Sequence, residues 1–330
     1  MNGIIKAMFI DSEGTLRDEK RTIKKDVISM FDTLKENGIY VVVTSGLPRF
    51  MVRNIKNQSH ASHFIISSNG ADIYNLDNKK SIKSYYLDRY LVYSLWKEYK
   101  EKFNIILGVG DYEYSSSPCD YSKNSIILDE NNIQNDFYQC HISQKQVNQN
   151  ESAINELNSI KKNFSDKIVV LIGEDLFHKL CYHISELTDN EIARILRAGR
   201  FLELVTIKER IMDEYNNLIS IGNQCADFTE YNPNGEIPWF SINNIEATKG
   251  NGVKRLCEYL DVPKNQRMAI GNDYNDRTMI DAVGIFACPS NSNSHLLSES
   301  NYVYDERDGI SKVLRKVMIN NESFNRQNNR

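Results

Sequence analysis

Short apolar runs alternate with segments of helical spacing at the start of the chain. Ile4–Ile10 is almost wholly apolar, which predicts a parallel strand covered on both faces. A helix is predicted from Thr22 to a stop at Gly38, because apolar residues recur there at intervals of three or four: Ile23, Val27, Phe31 and Leu34. Strands are predicted over Tyr40–Val43 and Phe64–Ile66. This order predicts an α/β fold with a doubly wound parallel sheet.

The C-terminal part of the chain returns to the same alternation. A helix is predicted from Lys249, a strand over Met268–Ile270 and a second helix around Met279. Further strands are predicted over Gly284–Ala287 and Tyr302–Tyr304. The asparagine-rich end, residues 320–330, is expected to fray. Both ends of the chain are therefore expected to build one sheet.

The middle of the chain is more polar and richer in tyrosine. A helix is predicted around Leu91–Phe103, with strands near Ile105–Val109 and Ile168–Ile172. Residues 112–150 are dominated by Ser, Asn, Gln and Asp and are predicted to form an extended insertion or long loops. We therefore predict a core of residues 1–82 plus 242–330, interrupted by an α+β domain over residues 83–241.

Composition excludes several classes of protein. The 330 residues carry 40 Lys and Arg against 44 Asp and Glu, a formal net charge of −4, which argues against nucleic acid as a partner. No apolar run is long enough to suggest a membrane span, and Asp11 and Glu13 interrupt the N-terminal run in a way that does not resemble a signal peptide. The six cysteines form no CxxC pair and predict reduced thiols in a cytoplasmic protein. Nothing in the sequence indicates an oligomeric state.

Polar residues follow several of the predicted strands. Asp11-Ser12-Glu13 follows the first, Thr44-Ser45-Gly46 the second, and Lys249 begins a later helix. A last turn after Ile270 holds Asn272, Asp273, Asn275 and Asp276. Because ligands of open α/β sheets bind beyond the carboxyl ends of the strands, these groups are expected to converge. Together they supply what phosphoryl transfer needs: a carboxylate nucleophile, oxygen ligands for Mg²⁺, and donors for the phosphoryl oxygens.

These motifs resemble those of the haloacid dehalogenase (HAD) superfamily, in particular its Cof-type phosphatases with an inserted α/β cap. Asp11-Ser12-Glu13-Gly14-Thr15-Leu16 resembles the DxDGTL motif, and Ser45-Gly46-Leu47-Pro48 the T/S-G-R-P motif. Ser68-Asn69-Gly70-Ala71, Lys249-Gly250 and the stretch from Gly271 to Met279 resemble the remaining motifs, the last of them GDxxNDxxM. The resemblance covers about residues 1–82 and 242–315, and it implies a HAD-like Rossmannoid core with a cap that closes over the site.

The resemblance implies a role for each of these residues. Asp11 would be the nucleophile and Glu13 the acid/base. The phosphate-binding residues would be Ser45, Gly46, Lys249 and Asn275, and Asn69 would belong to a substrate loop. Oxygens of Asp11, Glu13, Asn272, Asp273 and Asp276 would serve the Mg²⁺ site, with Asp276 fixing the lysine or a metal-bound water. The implied activity is hydrolysis of a small phosphorylated metabolite through a phospho-aspartate, with a sugar phosphate favoured by analogy alone.

Two residues depart from the family pattern. Glu13 replaces an aspartate and is one methylene longer, and Asn272 replaces a metal-binding aspartate and lacks its charge. Asp273 is the candidate to restore that charge. These departures favour the alternative of a weakened or inactive HAD-fold protein that binds a phosphorylated ligand or a protein partner. A phosphomutase is a third alternative, although no arginine cluster in the middle domain clearly supports it.

Plain structural interpretations compete with these roles. An Asx turn at Asn272 and Asp273 is as compatible with the local sequence as a metal site, and Ser45 could be a helix cap. Glu113 stands where the third glycine of a dinucleotide fingerprint beginning at Gly108 would be, so that motif is rejected. Cys140-His141 has no second half of a metal site and is interpreted as structural, and the tyrosines of the middle domain as packing residues.

Overall fold

The structure is a computed structural model, and it describes residues 4–116, 124–144, 189–224 and 238–328. Two sheets organise the fold, one of eight strands and one of six. The chain passes from the first sheet to the second between Ser84 and Arg89 and returns between Asn244 and Lys249. These crossings lie a few residues beyond the predicted boundaries at 82 and 242. No helix among the described residues is both long enough and apolar enough to span a bilayer.

The eight-stranded sheet contains the core of the α/β fold. Its strands are β1 (Ala7–Asp11), β2 (Tyr40–Thr44), β3 (Phe64–Ser67), β4 (Asp72–Asn75), β5 (Lys80–Ser84), β12 (Arg267–Ile270), β13 (Ile285–Pro289) and β14 (Tyr302–Tyr304). Their order is β14-β13-β12-β1-β2-β3-β4-β5. The six strands from β14 to β3 run parallel, and β4 and β5 add an antiparallel edge. The parallel α/β core is therefore confirmed.

Helices cover both faces of this sheet. They are α1 (Lys25–Glu36), α2 (Arg49–Ser59), α5 (Lys249–Tyr259), α6 (Ser294–Glu299) and α7 (Ser311–Asn328). Helices α1, α2 and α7 bury residues such as Phe31, Val52 and Leu314 against one face. Helices α5 and α6 bury residues such as Leu256 and Leu296 against the other. Because β1 lies between two apolar layers, all five of its side chains are buried, including Asp11 at its carboxyl end.

The second sheet belongs to the inserted cap. Its strands are β6 (Phe103–Val109), β7 (Tyr112–Ser115), β8 (Ser125–Ile127), β9 (Gln139–Gln144), β10 (Ile219–Gln224) and β11 (Trp239–Asn244), in the order β10-β11-β9-β6-β7-β8. Helices α3 (Arg89–Tyr99) and α4 (Asp189–Tyr215) pack on one face, where Leu95 and Leu204 join the buried cluster. The opposite face of the cap sheet is turned toward the core.

Several local predictions are wrong. Residues 112–116 and 124–144 form β7, β8 and β9 rather than only long loops. In β9 the buried Cys140 and Ile142 alternate with polar residues, so a polar sequence still supplies one apolar face to the cap core. The predicted helix around Met279 is a 3₁₀ helix, Tyr274–Ala282. Helix α7 continues to Asn328 instead of fraying from residue 320, since Asn321 hydrogen-bonds the backbone of Ile5. The strand predicted over Ile168–Ile172 lies outside the described residues.

Candidate active site

The carboxyl ends of β1, β2 and β12 meet at one edge of the core sheet. Strand β1 lies between β2 and β12, so the residues that follow these three strands are neighbours although they are distant in sequence. Helix α5 begins at the same edge, where the Thr248 side chain caps it by accepting a hydrogen bond from the amide of Asn251. The structure thereby places Asp11, Ser45 and Lys249 along one cleft between core and cap.

A buried ion triad occupies the base of this cleft. The Lys249 ammonium donates to Asp11 Oδ1 and to Asp276 Oδ1, each at 2.6 Å. Exposed fractions are 5% for Asp11, 2% for Lys249 and 0% for Asp276. Burial raises the pKa of Asp11, the charge of Asp276 adds to this effect, and Lys249 opposes it. The two carboxylates raise the pKa of Lys249 against its own burial, so the lysine remains an ammonium.

Asp276 organises the turn after β12. Its Oδ2 accepts the backbone amides of Asn272 and Asp273, at 2.9 and 3.0 Å, while Oδ1 accepts Lys249. Both carboxylate oxygens are therefore occupied by donors, which makes Asp276 a positioning group for the lysine and the turn. Gly271 allows this arrangement, because a Cβ there would lie 2.4 Å from Asp276 Cγ.

The Asn272 side chain reaches across to the end of β1. One end of its amide lies 3.2 Å from Asp11 Oδ2, 2.9 Å from the Glu13 carbonyl oxygen and 2.7 Å from Thr15 Oγ1. If Nδ2 occupies that end, it donates to the first two oxygens. If Oδ1 occupies it, Thr15 donates to it and three oxygens face one another with no hydrogen between them, an arrangement that is repulsive unless a cation lies among them.

The two separations measured from the Asn272 amide are compatible with Mg²⁺. An octahedral site with Mg–O bonds of about 2.0–2.1 Å has edges of about 2.9 Å, close to the separations from the Asn272 amide. Only one of the three ligands, Asp11, is a carboxylate. In the part of the chain that the structure describes, no three His, Cys, Asp or Glu side chains converge as a metal-binding group. The candidate site therefore carries little charge.

Glu13 has its two functional groups in different places. Its backbone carbonyl faces Asn272, whereas its carboxylate forms an ion pair with Arg17 and is 45% exposed. Glu13 is among the residues that line the cleft, although its carboxylate is paired with Arg17. Asp273 also lines the cleft, but its side chain accepts from the Tyr274 amide and is exposed.

Hydroxyl and amide groups line the side formed by β2 and β3. The Ser45 hydroxyl is 2.7 Å from that of Ser12, and both are buried. Gly46 follows Ser45 in the wall of the cleft. Asn69 accepts a hydrogen bond from Asn275 Nδ2 at 2.8 Å and is itself 2% exposed, so it lies behind Asn275 as a support.

The cap supplies the facing wall, which the sequence analysis missed. The cleft encloses about 350 Å³, and its cap residues are Ile106, Gly108, Glu113, Gln139, His141, Trp239 and Ser241. The His141 and Trp239 rings stack with centroids 4.7 Å apart. A signal was present in the sequence: Gln139 and His141 alternate with Cys140 and Ile142, and only the latter two are fully buried.

The charges of the cleft are mostly negative. Asp11, Glu13, Glu113 and Asp273 line it, and Lys249 is the only cation among the described lining residues. Burial lowers the pKa of His141 to about 4, so this ring is neutral near pH 7. A phosphate dianion in this cleft would therefore need an additional positive charge. A cation held among the oxygens beside Asp11 would supply it.

Comparison with known proteins identifies the family of this chain. A family model described as haloacid dehalogenase-like hydrolase matches residues 8–209 and 185–314. A relative from Buchnera aphidicola subsp. Acyrthosiphon pisum, named "Putative phosphatase BU028/BU029", is 26% identical over 96% of this chain and 97% of its own length.

Solved structures agree with the family match. A haloacid dehalogenase-like hydrolase from Bacteroides thetaiotaomicron has a TM-score of 0.67 and 16% identity, over 95% of this chain and 99% of that one. A protein described as a HAD subclass IIB sugar phosphatase has a TM-score of 0.62 and 13% identity, over 95% of this chain and 99% of that one. The match spans core and cap alike, and the chain belongs to the haloacid dehalogenase-like hydrolases, as a phosphatase with an inserted α/β cap.

Proposed function

We propose that this phosphatase is Mg²⁺-dependent and hydrolyses a small phosphorylated metabolite through a phospho-aspartate at Asp11. The observation that carries the proposal is the position of Asp11: a buried carboxylate at the end of β1 that opens into the cleft, 2.6 Å from a buried ammonium. A carboxylate held in this way can attack phosphorus, and the resulting acyl phosphate is readily cleaved by water.

The residues around Asp11 divide the remaining tasks. Lys249 lies beside the nucleophile and would stabilise negative charge on the phosphoryl oxygens, and the Ser45 hydroxyl and Asn275 amide would bind the same oxygens. Asp11, Asn272 and the Glu13 carbonyl would hold Mg²⁺, which when bound supplies positive charge to the phosphoryl group and orients it. The fit of this oxygen set to an octahedral edge supports that assignment.

Glu13 would donate the proton to the leaving oxygen and then accept a proton from the attacking water. This role requires its carboxylate to leave Arg17, since the two form an ion pair. The cap wall would cover the leaving group and exclude bulk water. Because one structural neighbour is described as a sugar phosphatase, hexose and pentose phosphates come first among the substrates to be tested.

The experiment compares hydrolysis of p-nitrophenyl phosphate and a panel of metabolite phosphates by the purified full chain in MgCl₂ and in EDTA. Asp11→Asn keeps the shape of the side chain and an acceptor for Lys249, so its loss of turnover would report on the nucleophile. Glu130→Gln is the matched control, because it removes a carboxylate that is exposed and lies outside the cleft. We expect turnover in Mg²⁺ that Asp11→Asn abolishes and Glu130→Gln retains. Mass spectrometry after rapid quenching should detect phosphate on the peptide that contains Asp11.

The alternative is a HAD-fold protein that binds a phosphorylated ligand with little or no turnover. Two observations favour it: the Asn272 amide can hydrogen-bond the oxygens of a metal site, and Arg17 neutralises Glu13. Ligand-dependent thermal stabilisation of the wild-type protein, without Asp11-dependent phosphate release from any substrate, would establish this alternative and refute the proposed function.

A further inference from the structure

One face of the cap sheet forms a continuous wall of the cleft. Side chains alternate across a strand, so residues in register on neighbouring strands share a face. Asn243 on β11 pairs with Gln139 on β9, Gln139 pairs with Gly108 on β6, and Gly108 pairs with Glu113 on β7. This row runs across the cap face that is turned toward Asp11.

Gly108 opens a notch in that row. A Cβ built at residue 108 would meet one atom within 4 Å, the Cβ of Gln139, at 4.0 Å. The glycine therefore does not serve tight packing, and the space that a side chain would occupy is open to the cleft. Glu113 on one side and Gln139 on the other flank this notch, and both line the cleft.

Glu113 brings an unpaired charge to the notch. Its carboxylate has no cationic partner within the described ranges, and burial raises its pKa. The rings of His141 and Trp239 in the same wall are uncharged near pH 7, so Glu113 is the only charged residue among the cap residues that line the cleft in the described structure. Lys249, the cation of the cleft, is already bound by Asp11 and Asp276.

A substrate with its phosphate at Asp11 presents its other end to this wall. A hydroxyl or an ammonium there can donate to the Glu113 carboxylate and to Oε1 of the Gln139 side chain, whereas a second carboxylate or phosphate would face an uncompensated negative charge. The cap wall therefore favours leaving groups that donate hydrogen bonds, and it disfavours leaving groups that carry a negative charge.

We infer that Glu113, beside the notch at Gly108, determines specificity by accepting phosphate monoesters with an uncharged or cationic, hydroxyl-rich leaving group and by rejecting those with a second anionic group. The inference rests on the proposed function and narrows its substrate class. Glu113 acts on the leaving group, at the opposite wall of the cleft from the nucleophile.

The test uses two substrates that differ only at the far end. Sorbitol 6-phosphate and 6-phosphogluconate have the same phosphate and carbon chain, but the second carries a carboxylate where the first has a hydroxymethyl group. Acetyl phosphate, with a minimal leaving group, is the reference for the core chemistry. The variants are Glu113→Gln, Gly108→Val and, as a matched control, Glu130→Gln, which removes one charge from an exposed cap residue outside the cleft.

We expect the wild type to have the higher kcat/KM on sorbitol 6-phosphate. Glu113→Gln should reduce the ratio of the two kcat/KM values by about tenfold or more, because like-charge repulsion is lost. Glu130→Gln should leave the ratio unchanged. Gly108→Val should lower kcat/KM on both six-carbon esters by filling the notch, while acetyl phosphate turnover persists. This variant tests the same surface by its shape and not by its charge.

Two results overturn this inference and leave the phosphatase mechanism intact, provided that acetyl phosphate is still hydrolysed. The first is a wild-type ratio of the two kcat/KM values near one, and the second is a ratio that Glu113→Gln leaves unchanged. Absence of Asp11-dependent hydrolysis of all three substrates overturns the proposed function, and the specificity inference with it.

Discussion

Asn272→Asp is the substitution that most directly tests the candidate metal site. The new carboxylate would place an oxygen where the amide now lies, 3.2 Å from Asp11 Oδ2 and 2.9 Å from the Glu13 carbonyl oxygen. Without a cation, the hydrogen bonds that the amide nitrogen can donate are lost and two negative charges face each other. With a cation, the same oxygen becomes a charged ligand. We expect opposite effects on the two states.

The magnitude follows from the distance. Two unit charges 3.2 Å apart repel by about 1 kcal/mol at the dielectric constant of water and by about 5 kcal/mol at an effective value of 20. Solvent at the open side of the cleft favours the lower part of this range, so we expect a loss of about 1–3 kcal/mol in the metal-free protein. Relief of the same repulsion on binding should tighten Mg²⁺ by a similar free energy, roughly 5- to 150-fold.

Two measurements check this expectation without reference to catalysis. Thermal unfolding in EDTA should show a lower Tm for Asn272→Asp, by about 2–4 °C per kcal/mol for a domain of this size. Isothermal titration with MgCl₂ should give a lower Kd than for the wild type. Asn293→Asp is the control, because aspartate caps a helix as well as asparagine and residue 293 lies outside the cleft.

An unchanged or weaker Mg²⁺ affinity in Asn272→Asp would refute the assignment of residue 272 as a ligand. A lower Tm in EDTA combined with unchanged affinity would show that the new charge is felt by Asp11 while the cation binds elsewhere.

Three further predictions concern the buried groups. Lys249→Met should lower the free energy of unfolding in urea by about 3–5 kcal/mol, because Asp11 and Asp276 lose their shared cation. Adding Asp276→Asn to this variant should restore part of the lost stability. A decrease of less than about 1 kcal/mol for Lys249→Met would contradict the ion triad. As the pH falls from about 6.5 to 4, His141 binds a proton in the unfolded chain before it does so in the folded protein, so the free energy of unfolding should fall by up to about 3 kcal/mol. His141→Gln should remove this part of the pH dependence. Identical profiles of unfolding free energy against pH for the wild type and the variant would contradict the role of His141. Gly70→Ala should lower both Tm and turnover, since a Cβ there, at φ +93°, would lie 2.1 Å from the Thr248 carbonyl oxygen at the start of α5; a wild-type Tm would show that this contact relaxes freely.

The sequence was most informative where burial is two-sided. Strand β1 and its neighbour β2 read as continuous apolar runs, and the polar residues directly after them are the ones that meet in the cleft. Order along the chain and the end of each strand are enough to predict such a meeting point. The parallel core could therefore be predicted before any coordinates, together with the convergence of Asp11, Ser45 and Lys249.

The cap wall could not be predicted because its informative residues are polar. Strand β9 has one buried face and one face toward a cleft, so its sequence resembles a solvent-exposed hairpin until the core supplies a second wall. The orientations of two side chains could not be predicted from the sequence either. The Glu13 carboxylate pairs with Arg17, and Asn69 lies behind Asn275, and these orientations depend on contacts made in the folded protein. The 3₁₀ helix after Asp273 likewise follows from the capping contacts of Asp276 with the turn.

The separation of Asp11 and Lys249 by 238 residues has a consequence for biosynthesis. At about 5–20 residues per second, a ribosome needs roughly 10–50 s to make the second residue after the first. During that interval the N-terminal strands have no β12 to pair with, and early folding of the cap, by bringing its two ends together, shortens the loop that must close afterwards. A polypeptide released before Met268 lacks both the neighbour of β1 and the carboxylate of Asp276, so it cannot assemble the ion triad.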